Sequence, residues 1–284
     1  MRLDDLQLSA YRDNGLVTVP NVFSRAEVEC LRAALPRALE DPSPGRVMES
    51  HGKSVRGLHG QHETIESFGN LVRHPRLIGP ARQLLQEEVF VYQFKINVKA
   101  AFTGELWPWH QDFVFWQRED GMEEACLVNA LVVIDDNTEF NGPLWFMEGS
   151  HREGVIDQFA EGPSEAARAP GQAEWVEGFS ANLKYSLSDA CITQLGRRYP
   201  LRSAQAPAGA VILFHPNLVH GSTGNMTPFD RCIILVTYGS VAARFRPMPS
   251  HRPGFLVNRD RTPLTMVHEG VLLESPRASD RGGA

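Results

Sequence analysis

The sequence predicts a mainly β protein with flanking α-helices, a double-sheet jelly roll or double-stranded β-helix, and three observations carry that expectation. Short alternating or apolar runs recur from Val89 to Tyr238 with turn residues between them, helix patterns gather toward the N-terminal side, and no regular βαβ alternation appears. With 284 residues, 42% hydrophobic and 22% charged, the chain is long enough for a single domain over 1–284 with a well-buried core. A net charge of −6 argues against nucleic acid and anionic membranes as partners, because both require a basic face. A small-molecule substrate is the expected partner, bound by a monomer or weak homodimer. No apolar run reaches membrane-spanning length. Cys30, Cys126, Cys191 and Cys232 are scattered without a CxxC pair, and with no apolar signal segment at the start they read as free thiols of a cytoplasmic protein.

Taken in order, residues 3–13 read as a short helix ending at Asn14-Gly15, followed by a strand from Leu16 to Val19. Ser24 with Glu27 three residues on makes a capping box for a second helix through Val28, Leu31, Leu35 and Leu39. Asp41 to Gly45 is a loop, Arg46 to Gly60 is mixed, and Leu77 to Leu85 is a short helix. His59 and His62 are spaced too widely for a metal site and read as ordinary polar side chains. From Val89 to Lys99 the chain alternates, placing Gln93, Lys95 and Asn97 on one face, which is either a solvated face or the inside of a barrel around a polar ligand. An aromatic segment from Trp107 to Trp116 follows, then an apolar strand from Cys126 to Ile134, a turn at Asn141-Gly142-Pro143, and a strand from Leu144 to Met147. Residues 154–205, with a helical pattern from Ser188 to Leu195, break the strand rhythm and read as a lid-like insertion over the barrel mouth. Strands resume at Ala210–Phe214 and Cys232–Tyr238. The proline-rich tail is expected to wrap without regular structure, its last ten residues frayed.

Chemistry concentrates in two stretches. His110 and Asp112 stand two apart in an aromatic run, so an extended segment would point both to one side, where they could grip a metal or simply bond to each other. With 10 histidines in the chain, such a pair is weak evidence alone. A facial site with two imidazoles and one carboxylate suits non-haem Fe(II) and needs a second histidine from a distant strand. His215 and His220 compete for that place; His220 is favoured because Ser222 shares its parity and Arg231 follows inside a return strand. An arginine entering an Ile-Ile-Leu-Val strand is costly unless it meets an anion, either a structural acid or a dicarboxylate ligand.

His110-x-Asp112, Asn141-Gly142-Pro143-Leu144 with Gly149-Ser150-His151, then His220-Gly221-Ser222 and Arg231 together resemble the phytanoyl-CoA and ectoine hydroxylase family of Fe(II)/2-oxoglutarate dioxygenases. The resemblance runs from about residue 6 to 265 and is nearest the bacterial branch acting on free amino acids, the leucine 5-hydroxylase-like enzymes. It implies Fe(II) held by His110, Asp112 and His220, with 2-oxoglutarate as cosubstrate and O2 as oxidant. It implies further that Arg231 and Ser222 hold the far carboxylate of the keto acid, that Gln93, Asn97 and Thr138 line its pocket, and that Trp116 touches substrate. Halogenating relatives carry a small residue where Asp112 stands, so the resemblance implies hydroxylation rather than halogenation; the expected activity is hydroxylation of an unactivated C–H bond of a small polar substrate, a free amino acid, in secondary metabolism such as antibiotic biosynthesis. A tailoring role on a larger natural product, by cyclisation or desaturation, and a non-catalytic jelly-roll binding module are the alternatives. For an amino-acid substrate, Arg56, Lys95 and Arg118 are candidate cations, Phe113, Phe115 and Trp116 either an apolar wall or core, and Lys184 and Tyr185 candidates to close over the ligand.

Overall fold

The computed structural model describes residues 1–160, 174–179 and 183–274. The expected frayed tail and most of the centre of the expected lid lie outside the described residues.

Two antiparallel sheets face each other. The larger has the order β1 (Leu16–Val19), β9 (Val211–Phe214), β6 (Leu127–Val133), β11 (Arg231–Ser240), β4 (Val89–Lys99), β3 (Val55–His59) and β2 (Arg46–Met48). The smaller has the order β5 (Trp107–His110), β10 (His220–Ser222), β7 (Leu144–Met147) and β8 (Leu201–Ser203). Period-two alternation divides the large sheet into two working faces. Phe94, Ile96 and Val98 of β4, with Ala130, Val132, Leu213, Ile234 and Val236, form the outer layer against the N-terminal helices. Leu131, Val133, Ile212, Phe214, Ile233 and Leu235 form the inner layer against Leu144 and Phe146 of the small sheet.

The helices are anchored by local chemistry where the sequence supplies it. In α1 (Asp5–Asn14) Asp4 and Gln7 make a reciprocal capping box and Gly15 closes the end in the left-handed conformation, while Ser24 and Glu27 do the same for the start of α2 (Arg25–Glu40). The remaining helices are α3 (Glu66–Val72), α4 (Pro75–Leu85), α5 (Asp112–Glu119), α6 (Asp189–Gly196) and α7 (Val271–Glu274).

Several expectations are corrected. The segment after Trp107 is not extended throughout: the strand stops at His110, and Asp112 opens helix α5. The mixed stretch 46–60 supplies β2 and β3, the edge of the large sheet. Helix α3 escapes prediction because Ile65 at its start offers no side-chain cap, so its helical state rests on burying Phe68, Leu71 and Val72. Residues 154–205 are not wholly an insertion, since β8 pairs with β7. The tail carries the short helix α7, whose Leu272 is buried in the outer core.

Candidate active site

Strands β5 and β10 pair antiparallel with His110 opposite His220, which brings together two imidazoles 110 positions apart in the chain, ring centroids 4.2 Å from one another. The pairing depends on Gly221. A Cβ there would lie 2.9 Å from the Trp107 carbonyl and drive the strands apart. Immediately after β5 the chain turns into α5, and this strand-to-helix turn, rather than strand parity, delivers Asp112. Its carboxylate oxygens lie 3.8 Å from His110 Nε2 and 3.8 Å from His220 Nε2. One ligand atom from each residue falls within 4.8 Å of the others, and all three residues are buried.

Each group is held in a ligand-ready state. His110 Nδ1 faces the Pro108 carbonyl at 2.7 Å and His220 Nδ1 the Leu218 carbonyl at 2.9 Å, so both Nδ1–H groups donate backward and both Nε2 lone pairs point into the site. Burial, reinforced by His220, pushes His110 down to about 3 despite Asp112 and the Pro108 carbonyl. Burial likewise holds His220 below the ordinary imidazole value against the opposing pull of Asp112. For Asp112, burial would raise the carboxyl, but Lys95 and the two imidazoles outweigh it and bring it to about 2. Two neutral imidazoles and one carboxylate is the donor set that an iron(II) site requires, so the residues fit the ion. Asn129, on the inner face of β6, donates to Asp112 at 2.8 Å and accepts from Thr237 at 2.7 Å, fixing the carboxylate plane. Lys95 Nζ lies 3.6 Å from Asp112.

Beside the triad a cavity is lined by Lys95, Asn97, Lys99, Ser222 and Arg231, with His110 and His220 also in its wall. Arg231 is 1% exposed and donates to the Asn141 and Gly142 carbonyls. Gly142 delivers those carbonyls from a left-handed turn, φ 75°. Among the described residues no carboxylate comes within 4.0 Å of Arg231, and burial brings its guanidinium down only to about 10, so it stays charged at neutral pH. Ser222 Oγ is buried without a hydrogen-bond partner. A buried cation without a counter-ion, next to an orphaned hydroxyl, fits a carboxylate-bearing ligand.

The other predicted residues are distributed differently. Gln93 donates to the Leu256 carbonyl at 2.9 Å, and Thr138 sits in the 136–141 turn, its N–H bonded to Asn141 at 2.9 Å; neither lines this cavity. Phe113 and Trp116 are packed in a core cluster, Trp116 edge-on to Tyr92 at 5.3 Å. Arg56 is buried and bonded to Glu49 at 2.8 Å, to the carbonyls of Phe179 and Leu106, and lies 3.9 Å above Trp107. Arg118 pairs with Asp157, Lys184 with Glu119 at 2.8 Å, and Tyr185 also donates to Glu119. Phe115, edge-on to His110 at 6.4 Å, also lines a second cavity whose walls include Glu119, Trp175, Lys184 and Arg252. His59 packs against Phe179 at 4.3 Å, His62 stacks on Phe94, and His215 lies against His151, all outside the triad. Lys99, Asn129 and Thr237 were not foreseen. Lys99 continues the parity of Gln93, Lys95 and Asn97, and Asn129 is the one polar residue in β6, a pattern that could have singled it out.

Comparison with known proteins agrees with this geometry. The phytanoyl-CoA dioxygenase (PhyH) family matches residues 11–233. The L-proline trans-4-hydroxylase of Streptomyces griseoviridis is 38% identical over 90% of this chain and 93% of its own length. The ectoine dioxygenase of Nocardia farcinica is 34% identical over 91% of this chain and 86% of its own. The crystal structure of EctD from S. alaskensis with 2-oxoglutarate and 5-hydroxyectoine superposes with a TM-score of 0.79 at 28% identity, covering 93% of this chain and 87% of that one. The chain belongs to the phytanoyl-CoA dioxygenase family and is an iron- and 2-oxoglutarate-dependent dioxygenase.

Proposed function

We propose that the protein hydroxylates an unactivated C–H bond of a free amino acid or a comparable small zwitterion, as a cytoplasmic enzyme of secondary metabolism. The observation that supports this reading most is the convergence of His110, Asp112 and His220 beside a cavity ending in Arg231, in a chain whose relatives include an L-proline hydroxylase. Iron(II) bound by the triad supplies oxygen activation coupled to oxidative decarboxylation of 2-oxoglutarate to succinate and CO2.

The chain's own residues do the positioning. His110 and His220 keep Nε2 available because their Nδ1 protons are committed to backbone carbonyls. Asp112 stays ionised, with Asn129 fixing its orientation and Lys95 balancing its charge. Arg231 and Ser222 receive the far carboxylate of the keto acid, and Asn97 forms the wall between that end and the metal. Gln93 and Thr138 act one step back, by fixing the backbone around Leu256 and the 136–141 turn. The substrate approaches from the second cavity, with Phe115 as the partition and Phe113 and Trp116 as its rigid backing. Lys184 and Glu119 on that cavity's wall pair with each other at 2.8 Å, with Tyr185 bonded behind Glu119, and a zwitterion's carboxylate and ammonium would each take one of the two in place of that pairing. Arg56 and Arg118 shape the surround through the contacts they already make. Which bond is attacked is then a matter of placement rather than intrinsic reactivity.

The test is a panel of free amino acids incubated with Fe(II), 2-oxoglutarate and oxygen. Succinate release together with a product heavier by one oxygen atom is expected; loss of two hydrogens instead would replace hydroxylation with desaturation or ring closure. His220→Ala is expected to be silent with an unchanged unfolding temperature in the metal-free state, and turnover in that variant would remove the ligand assignment.

A further inference from the structure

We propose that His59 is a specificity-determining residue for the substrate, its imidazole giving the amino acid's carboxylate a second donor besides Lys184. The inference rests on the free-amino-acid reading above and names the residue that distinguishes a free acid from its neutral derivatives.

His59 is the last residue of β3 and pairs with Lys95 of β4. Residues directly opposite in an antiparallel pair project to one side of the sheet, so the ring enters the barrel interior alongside Lys95. Its aromatic neighbours come from the segment Glu174–Phe179: Phe179 packs edge-on at 4.3 Å and Trp175 edge-on at 6.2 Å. Lys95 belongs to the wall of the keto-acid cavity and Trp175 to the wall of the second, so the imidazole links the two walls. The residue is 2% exposed, yet Nδ1 has no hydrogen-bond partner. His74 shows what a structural histidine does under the same burial: its Nδ1 accepts from the Arg76 N–H at 3.2 Å and its Nε2 faces the Glu269 carbonyl at 3.0 Å. The unpaired state of His59 is built in, because its own N–H is tied to the Gly45 carbonyl at 3.0 Å and Gly60 turns the chain in the left-handed conformation, φ 77°. A buried ring nitrogen fixed in place without a partner fits a site completed by a ligand.

Charge selects which ligand group that is. The charged groups acting on the imidazole are Lys95 and Arg252, both cations. Burial first, then these two, hold His59 well below the ordinary imidazole value, so the ring is neutral at pH 7 and carries a single N–H. Lys95 faces Asp112 at 3.6 Å, and Arg252 grips Asp120 through Nε at 2.8 Å and through a terminal nitrogen, so each cation already serves an acid of the protein. Positive potential from both sides disfavours an ammonium beside the ring and favours a carboxylate. With the ring proton on Nδ1, His59 donates to one carboxylate oxygen, and each carboxylate has acceptor capacity left for Lys184. Binding here moves no proton and makes no covalent bond. A neutral carboxamide in the same place receives only the weaker, uncharged hydrogen bond, and the difference is the discrimination His59 supplies.

The probes are the L-amino acids of proteins, each supplied as the free acid and as its carboxamide, with succinate release giving kcat/KM and anaerobic calorimetry of the Fe(II) and 2-oxoglutarate complex giving Kd. His59→Phe keeps an aromatic ring against Phe179 and Trp175 and removes the donor. Its kcat/KM and its affinity for the accepted free acid are expected to fall roughly tenfold or more, those for the carboxamide by no more than about threefold, the scale for losing a charged against a neutral hydrogen bond. The KM for 2-oxoglutarate and the unfolding temperature are expected to stay near wild type. His59→Asn, whose amide nitrogen falls near the place of the ring's Nδ1, is expected to bring the free acid back to within about threefold of wild type. His59→Leu makes the same comparison if the phenylalanine variant does not fold. An unchanged free-acid affinity, equal losses for acid and carboxamide, or no recovery in His59→Asn overturns the proposal. Absence of succinate release by the wild type with every free amino acid would instead overturn the reading beneath it.

Discussion

Two strands of the large sheet hold buried arginines near the same end, and the protein treats them in opposite ways. Arg56, on β3, has its guanidinium saturated by a buried carboxylate, two backbone carbonyls and an indole face. Arg231, on β11, is equally buried, but among the described residues its partners are carbonyls, no acid lies within 4.0 Å, and the nearby Ser222 hydroxyl has no partner. Charge burial is costly in either place. At Arg56 the protein supplies the compensation itself; at Arg231 it leaves compensation to a ligand. An unbalanced buried charge therefore marks a binding site more reliably than the presence of a charge does, and the paired cations Arg56, Arg118 and Lys184 are correspondingly weaker markers than their residue type suggests.

The contrast can be broken by experiment. Removing Arg56 strands Glu49, which is 2% exposed, so Arg56→Met is expected to cost about 3–5 kcal/mol of folding stability. That loss would appear as a large fall in unfolding temperature, with the 2-oxoglutarate KM of the surviving folded enzyme close to wild type. A stable Arg56→Met protein with a raised KM for the amino acid alone would reassign Arg56 to substrate binding. Arg231→Met should behave in reverse. It strands no acid, so its stability penalty is expected to be clearly smaller than that of Arg56→Met, while the KM for 2-oxoglutarate rises by about a hundredfold, the scale for losing one member of a buried charged pair. Equal destabilisation by the two substitutions would erase the distinction.

Much of the barrel was legible because its signals are local. Alternation through Val89–Lys99, the capping box at Ser24 and Glu27, and the turn at Asn141–Pro143 each depend on neighbours within a few residues. Arg231 was legible as an oddity, a cation opening an apolar strand. What the sequence could not show is pairing at a distance. Arg118 meets Asp157 and Lys184 meets Glu119 across 39 and 65 positions, so nothing near either cation reveals that it is already engaged. The same limit explains why Asp112 arrives by a different route from the one expected. Parity in an extended segment and a strand-to-helix turn both bring a carboxylate near His110, and only the tertiary context of α5, whose Phe113 N–H bonds to the Pro216 carbonyl at 3.1 Å, selects the turn.

Asn129 tests the smallest part of the contrast, a polar residue fully satisfied by the protein yet serving the site. It sits in the apolar run Leu127–Val133, is completely buried, and links Thr237 to the Asp112 oxygen. By the pairing argument it would count as scaffold, like Arg56; by its contact with a triad residue it should tune the metal. Asn129→Ala removes the donor that orients Asp112 and leaves the Thr237 hydroxyl without its acceptor. If orientation is its role, Fe(II) affinity drops by roughly tenfold, the low end for losing a hydrogen bond to a metal ligand, and saturating iron restores turnover. Asn129→Asp, matched in size, provides the control: it keeps an acceptor for Thr237 but sets a second carboxylate against Asp112, so iron affinity stays impaired while the Thr237 contact survives. If Asn129→Ala lowers stability but leaves the iron titration unchanged, Asn129 belongs with Arg56, and the reach of the site ends at the triad.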